Sequence, residues 1–241
     1  MRSVWRFTAS VLIVSGALLI ADVVVTVLWQ EPISALLASR EQSRLSGQLN
    51  TLTKQVATEE RAIAGPSPER LAELARREQR RVGTGHALGR IRLPTLHRSY
   101  VMVQGTDEAS LRKGPGHYPG TALPGEPGTI GVAGHRTTYL APFKTIDQLR
   151  PGDPVVLEMP YGDFTYRVQT TRIVEPTALW ITHDVGYPRL VLSACHPLYS
   201  ASQRIVVFAK LAAPIEPRSR PASRSTTTTT SASEIASTAI Q

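Results

Sequence analysis

The stretch Leu190-Val191-Leu192-Ser193-Ala194-Cys195-His196-Pro197, followed by Ser202-Gln203-Arg204-Ile205-Val206-Val207-Phe208, decides how this chain reads. Two apolar runs flank a short polar segment, which reads as strand, loop, strand. Paired antiparallel, the strands bring Cys195 and Arg204 face to face at one end of a sheet. Cys195 is the only cysteine, and the ordinary reading of a lone cysteine is a small buried hydrophobe. A fixed cation beside it suggests more, because it stabilises both a thiolate and the oxyanion formed when the thiolate attacks a carbonyl. A base is then needed. Of six histidines, His135 ends an apolar run, Thr129-Ile130-Gly131-Val132-Ala133-Gly134-His135-Arg136. Cys195, His135 and Arg204 at three strand ends form a candidate nucleophilic site.

The 241 residues suffice for one domain with extensions, and the formal net charge is +8. The basic residues are scattered rather than interleaved with aromatics, so nucleic acid is not the expected partner. A basic balance suits an anionic membrane or cell wall equally well. One cysteine excludes an intramolecular disulfide and a cysteine-cluster zinc site. His86, His97, His117 and His183 have no partner at metal-ligand spacing, so neither a metal nor a cofactor is expected.

Residues 7–29 are almost wholly apolar, the length needed to cross a bilayer. Trp5 and Trp29 sit near the ends, Arg2 and Arg6 precede the run, and Glu31 follows it. This predicts a retained anchor in the plasma membrane, with residues 1–6 in the cytoplasm and the remainder outside. A cleaved signal peptide is the competing reading, but the run is long and has no clear cleavage site. Residues 30–82 read as helix broken at Gly65-Pro66-Ser67-Pro68, with Ser67 as the N-cap of the second piece. Leu45, Leu49, Leu52 and Val56 form a short coiled-coil-like seam, read as a stalk in preference to a dimeriser. From 83 to 214, short β-rich runs alternate with Gly/Pro turns: 89–93, 100–103, 129–133, 153–159, 164–173, 189–193 and 205–211. That pattern predicts a mainly β barrel or sandwich, with a short helix over 107–111. In 164–173, Tyr166, Val168 and Thr170 alternate with Thr165, Arg167 and Gln169. Residues 215–241, with five consecutive threonines at 226–230, read as a disordered tail.

These motifs resemble the sortases, the membrane-anchored cysteine transpeptidases of Gram-positive bacteria. The resemblance rests on Gly134-His135-Arg136-Thr137-Thr138-Tyr139, on Leu192-Ser193-Ala194-Cys195, and on Arg204 in the next strand. Residues 111–121, Leu-Arg-Lys-Gly-Pro-Gly-His-Tyr-Pro-Gly-Thr, and 195–201, Cys-His-Pro-Leu-Tyr-Ser-Ala, resemble class E sortases of actinobacteria. The resemblance implies an eight-stranded β-barrel. Its substrates would be secreted proteins with a C-terminal Leu-Pro-x-Thr-Gly or Leu-Ala-x-Thr-Gly sorting signal. It implies that Cys195 attacks the Thr–Gly carbonyl to give a thioacyl enzyme, that His135 moves the protons, and that Arg204 holds substrate and oxyanion. The acceptor would be an amine of a peptidoglycan precursor. Tyr118 falls where class E sortases have a tyrosine near the signal pocket.

Two positions depart from the pattern. Ala194 stands where the family usually has Thr, which bears on substrate binding and rate. Leu140 follows Tyr139 where class E sequences often have Gly. A cysteine hydrolase on the same barrel, or an idle membrane-tethered binding module, are the rival readings. A free thiol titrates near 8.5 and a free imidazole near 6.5, so few molecules would carry thiolate and imidazolium together. A bell-shaped pH–rate profile follows.

Overall fold

The structure is a computed structural model that describes residues 2–28, 32–60 and 67–212. Trp29, Glu31, the Gly65-Pro66 break and the 215–241 tail lie outside the described residues.

Helix α1 (Arg2–Leu28) contains Val4–Val23, 20 residues long and apolar enough to cross a membrane. The apolar side chains of Val4–Val23 are exposed on every side; Leu12 and Ile13 are 70% and 71% exposed. A helix that is apolar all round and is not covered by the other described residues suits hydrocarbon rather than water.

Helix α2 (Pro32–Glu60) behaves differently. Leu45 and Leu49 are buried with Ala87, Val101 and Val103 in a cluster on the outside of the barrel. Val56 joins the main core with Leu71 and Ala75. The seam seen in the sequence is therefore covered by the chain's own barrel. Gln42 adds a polar clamp: its amide accepts from Val101 N (2.7 Å) and donates to Val101 O (3.0 Å) and Lys113 O (2.7 Å). Helix α3 (Pro68–Arg81) starts where Ser67 Oγ accepts from Arg70 N, with Pro68 in its first turn, and buries Leu71, Ala72 and Ala75.

Among the described residues eight strands close into a barrel: β1 (Ala87–Leu93), β2 (Arg98–Gln104), β3 (Gly116–His117), β4 (Thr129–Ala133), β5 (Pro154–Met159), β6 (Gly162–Val174), β7 (Arg189–His196) and β8 (Gln203–Leu211). Their order round the barrel is β1-β2-β3-β4-β7-β8-β6-β5. Pairs β2/β3 and β4/β7 are parallel and the rest antiparallel. The seven runs read as strands are all present. The eighth strand is two residues long, too short for a periodicity to show. The helix expected over 107–111 is α4 (Glu108–Leu111), with Asp107 Oδ1 accepting from Ser110 N at 3.0 Å.

One pattern breaks part-way. In β6, Phe164, Tyr166 and Val168 are buried as the alternation requires, but Thr170 is exposed. The register with β8 shifts between Val168 and Thr170. An extra residue in one strand resets which face its side chains take, so the sequence pattern holds only to the bulge.

Candidate active site

Strands β4, β7 and β8 lie side by side in the barrel. Between β7 and β8 the antiparallel register sets Cys195 directly opposite Arg204. Between β4 and β7 the parallel register runs from Thr129 with Arg189 to Ala133 with Ser193. One further backbone bond, Gly134 N to Ser193 O at 3.0 Å, continues it. Carried on two residues from its last pair, the same register sets His135 alongside Cys195. The three residues singled out in the sequence therefore meet at one end of three adjacent strands. Gly134 is required there: a Cβ would lie 2.6 Å from the Phe143 ring.

Side-chain direction follows from the core. Leu190, Leu192 and Ala194 belong to the main interior cluster. Val191, Val206 and Phe208 belong to a separate cluster with Ile181. Alternation then places Ser193 and Cys195 on the outer face, with Arg204 opposite Cys195 on that same face. Cys195 is half-buried. Arg204 Nη1 donates to Ala201 O and Gln203 O, both at 2.9 Å, which holds the guanidinium beside its own loop. Ala194 is 3% exposed within the core cluster, so its side chain is directed away from the face that carries Cys195.

Tyr118 does belong to the outer face. Its hydroxyl lies 2.7 Å from Ser193 Oγ. Its ring covers Gly131, where a Cβ would lie 2.6 Å from a ring carbon. The segment carrying Tyr118 is pinned by its neighbours. Thr121 Oγ1 donates to Tyr118 O at 2.8 Å, and Gln79 Nε2 of α3 donates to Thr121 O at 2.9 Å. His117, 1% exposed, has Nε2 at 3.0 Å from Ala122 O and Nδ1 at 2.9 Å from Gln104 Oε1. Burial pushes its pKa down to about 4, against a smaller upward pull from the Ala122 carbonyl.

His135 is half-buried, and its Nε2 has no hydrogen-bond partner among the described residues. Its ring lies 5.2 Å from the Tyr139 ring, and the Arg112 guanidinium lies 5.7 Å from the Tyr139 centroid. Arg112 also pairs with Glu108 of α4. Burial lowers the His135 pKa; Glu108 pulls it up and Arg112 pushes it down, both more weakly. An enclosed imidazole nitrogen with no partner among the described residues is free to exchange a proton with a bound reactant. The loop beyond it is tightly wound. Tyr139, Leu140 and Ala141 all have left-handed backbone, φ 49, 67 and 42. Leu140 thus occupies a conformation that glycine adopts without a Cβ penalty.

Three neighbours went unread in the sequence. Ser193 and Gly131 matter because they meet Tyr118 across strands, and no local signal marks that. Arg136 stood beside His135 in the motif but is buried, 3% exposed, and bonded to Lys144 O, Asp147 Oδ1 and His196 Nδ1. Among the described residues, no group of three or more His, Cys, Asp or Glu side chains is placed to hold a metal.

A sortase-domain family model matches residues 91–212, half of the chain and nearly all of the barrel. The chain belongs to the sortase family. Sortase D of Bacillus subtilis (strain 168) is 35% identical over 132 residues, covering 53% of this chain and 65% of that protein. Sortase SrtE1 of Streptomyces coelicolor is 30% identical over 145 residues, covering 54% and 41%. This sortase thus spans less than two thirds of the length of these curated relatives. Among solved structures, sortase E of Streptomyces avermitilis superposes with a TM-score of 0.52 at 34% identity, covering 56% of this chain and 93% of that one. Sortase E1 of Streptomyces coelicolor, solved with a tripeptide in its active site, gives 0.53 at 27% identity, covering 56% and 92%.

Proposed function

We propose that this sortase is a membrane-anchored cysteine transpeptidase of the class E kind, acting on secreted proteins with a Leu-Pro-x-Thr-Gly or Leu-Ala-x-Thr-Gly signal. The observation that carries the reading is the convergence of Cys195, His135 and Arg204 at one end of β4, β7 and β8. The Cys195 thiolate attacks the Thr carbonyl carbon, and Arg204 stabilises the oxyanion. The C–N bond to Gly then breaks as His135 protonates the leaving amine, and a thioester forms. An incoming amine attacks the thioester, His135 takes its proton, and the C–S bond breaks to release the Cys195 thiolate, restoring the starting thiolate and imidazolium. The amine belongs to a peptidoglycan precursor, so the client protein ends on the cell wall.

Tyr118, half-buried above Gly131 and Ser193 on the face of Cys195, lines the signal pocket. Ala194 acts through packing beneath the nucleophile rather than by touching substrate. Residues 7–29 anchor the protein as a single pass with the N-terminus inside. Helices α2 and α3 then form a bracket held against the barrel, and residues 83–214 the catalytic domain.

The test uses the full chain in detergent micelles, with both signal peptides and triglycine as acceptor, followed by mass spectrometry. Cleavage between Thr and Gly, triglycine ligation and an acyl adduct on Cys195 are expected. Cleavage without ligation would leave a hydrolase. A folded protein that cleaves neither peptide would sink the reading.

A further inference from the structure

His135 and Cys195 lie where the β4/β7 ladder has run out. The last paired residues are Ala133 and Ser193, and the last backbone bond is Gly134 N to Ser193 O at 3.0 Å. Beyond it β7 stays paired with β8 alone, through Cys195 with Arg204 and His196 with Gln203. The backbone ladder therefore ends just short of the point where a nucleophile and its base must be held at a set separation.

A side-chain bond spans that gap one residue further on. Arg136 immediately follows His135, and His196 immediately follows Cys195. Arg136 Nη1 lies 3.3 Å from His196 Nδ1. An arginine can only donate, so Nδ1 accepts and the His196 proton sits on Nε2. The guanidinium is fixed at its other corners. Nε and Nη2 donate to Lys144 O at 3.3 and 3.1 Å, and Nη2 donates to Asp147 Oδ1 at 2.9 Å. Arg136 is 3% exposed while Asp147 is half-exposed, so this arginine is enclosed with every bond directed. A buried planar fork with several fixed partners has little freedom to follow a displaced neighbour.

We propose that Arg136 is the positioning residue that sets the gap between the His135 imidazole and the Cys195 thiol, by tying the segment after His135 to His196. The proposal rests on the transpeptidase reading of the site. Arg136 itself touches no reacting atom. His196 is its acceptor, and the Lys144–Asp147 turn is the frame from which it reaches. A misplacement of about 1 Å between reacting groups lowers turnover by about a hundredfold, so a loosened tie is read in kcat, with KM for the signal peptide little changed.

The test compares Arg136→Gln, Arg136→Lys, His196→Leu and His196→Gln in the full chain in detergent micelles, with thermal unfolding as the control for folding. His196→Gln keeps an acceptor for Arg136, whereas His196→Leu keeps only bulk. Expected are losses in kcat of tenfold or more for Arg136→Gln and His196→Leu, little loss for His196→Gln, and no further loss in the Arg136→Gln/His196→Leu double variant. The second readout needs no substrate. Cys195 is the only cysteine, so its rate of alkylation by iodoacetamide against pH reports its coupling to His135. His135→Asn sets the uncoupled profile, and His196→Leu should move the wild-type profile toward it. If wild type cleaves no peptide, the transpeptidase reading fails and the alkylation profile alone decides the positioning claim. The proposal is overturned if His196→Leu keeps wild-type kcat or an unchanged alkylation profile, if His196→Gln is as impaired as His196→Leu, or if the single losses multiply in the double variant. If Arg136→Gln does not fold, the His196 pair still decides.

Discussion

His117 ties stability to pH in a way that can be worked through. It is 1% exposed, and burial lowers its pKa from 6.5 to about 4. Because the folded-state value lies below the unfolded one, the unfolded chain binds more protons between the two. Stability is complete above about pH 6.5 and is lost as the pH falls toward 4. Taking those two values, the loss reaches about 2 kcal/mol at pH 5 and about 3 kcal/mol below pH 4. The same ring braces the segment carrying Tyr118 through the Ala122 carbonyl, so acid should loosen one wall of the candidate pocket first. The assay is urea unfolding of the full chain and of His117→Gln at pH 7.5 and pH 5, followed by tryptophan fluorescence. Groups common to both chains cancel in the comparison, His135 among them. Wild type should lose about 2 kcal/mol more than the variant on going to pH 5. Equal losses in the two chains would refute the assignment of the pH dependence to His117.

Tyr166 is fully buried, and its hydroxyl has no partner among the described residues. Tyr166→Phe should therefore stabilise the barrel by about 1 kcal/mol in urea unfolding, and a loss of that size would mean that the hydroxyl is satisfied. Gln42→Ala strips partners from both Val101 backbone groups and from Lys113 O. It should cost about 2 kcal/mol, and a change under about 0.5 kcal/mol would show that α2 is only loosely attached. Burial lowers the His135 pKa while Glu108 raises it. The acid limb of kcat/KM should then fall below pH 6.5, and Glu108→Gln should move it lower still; a limb at or above 6.5 contradicts this. Ala194 is 3% exposed within the core. Ala194→Thr should destabilise by about 1–3 kcal/mol and leave KM for the signal peptide unchanged; a lowered KM would return residue 194 to the substrate face.

Much of the fold was legible because its signals are local. An apolar run as long as a bilayer is thick, a Ser-Pro helix start at Ser67, and β-rich runs between turn residues each act over a few neighbours. Strand β3 was invisible because two residues carry no period. The outward turn of Thr170 was invisible because a bulge resets the alternation. The apolar seam of α2 was visible, but its occupant was not: any complementary apolar surface satisfies Leu45 and Leu49, and the nearest is Ala87, Val101 and Val103 in the same chain.

The same division runs through the candidate site. By itself the sequence determined that Cys195 and Arg204 would oppose each other, since a short connection between two strands sets an antiparallel register within a residue or two. It also singled out His135, through a Gly-His strand end and the family pattern. Only the tertiary structure decided that the end of β4, which leads into His135, lies beside β7 just before Cys195. That depends on the parallel pairing of β4 with β7 across some fifty intervening residues, and parallel pairing over such a separation has no local turn to dictate it. It also decided that Tyr118 meets Ser193, that Ala194 is directed into the core, and that Arg136 reaches His196. Each is a contact between residues far apart in the chain, fixed by which strands adjoin and which face each residue takes.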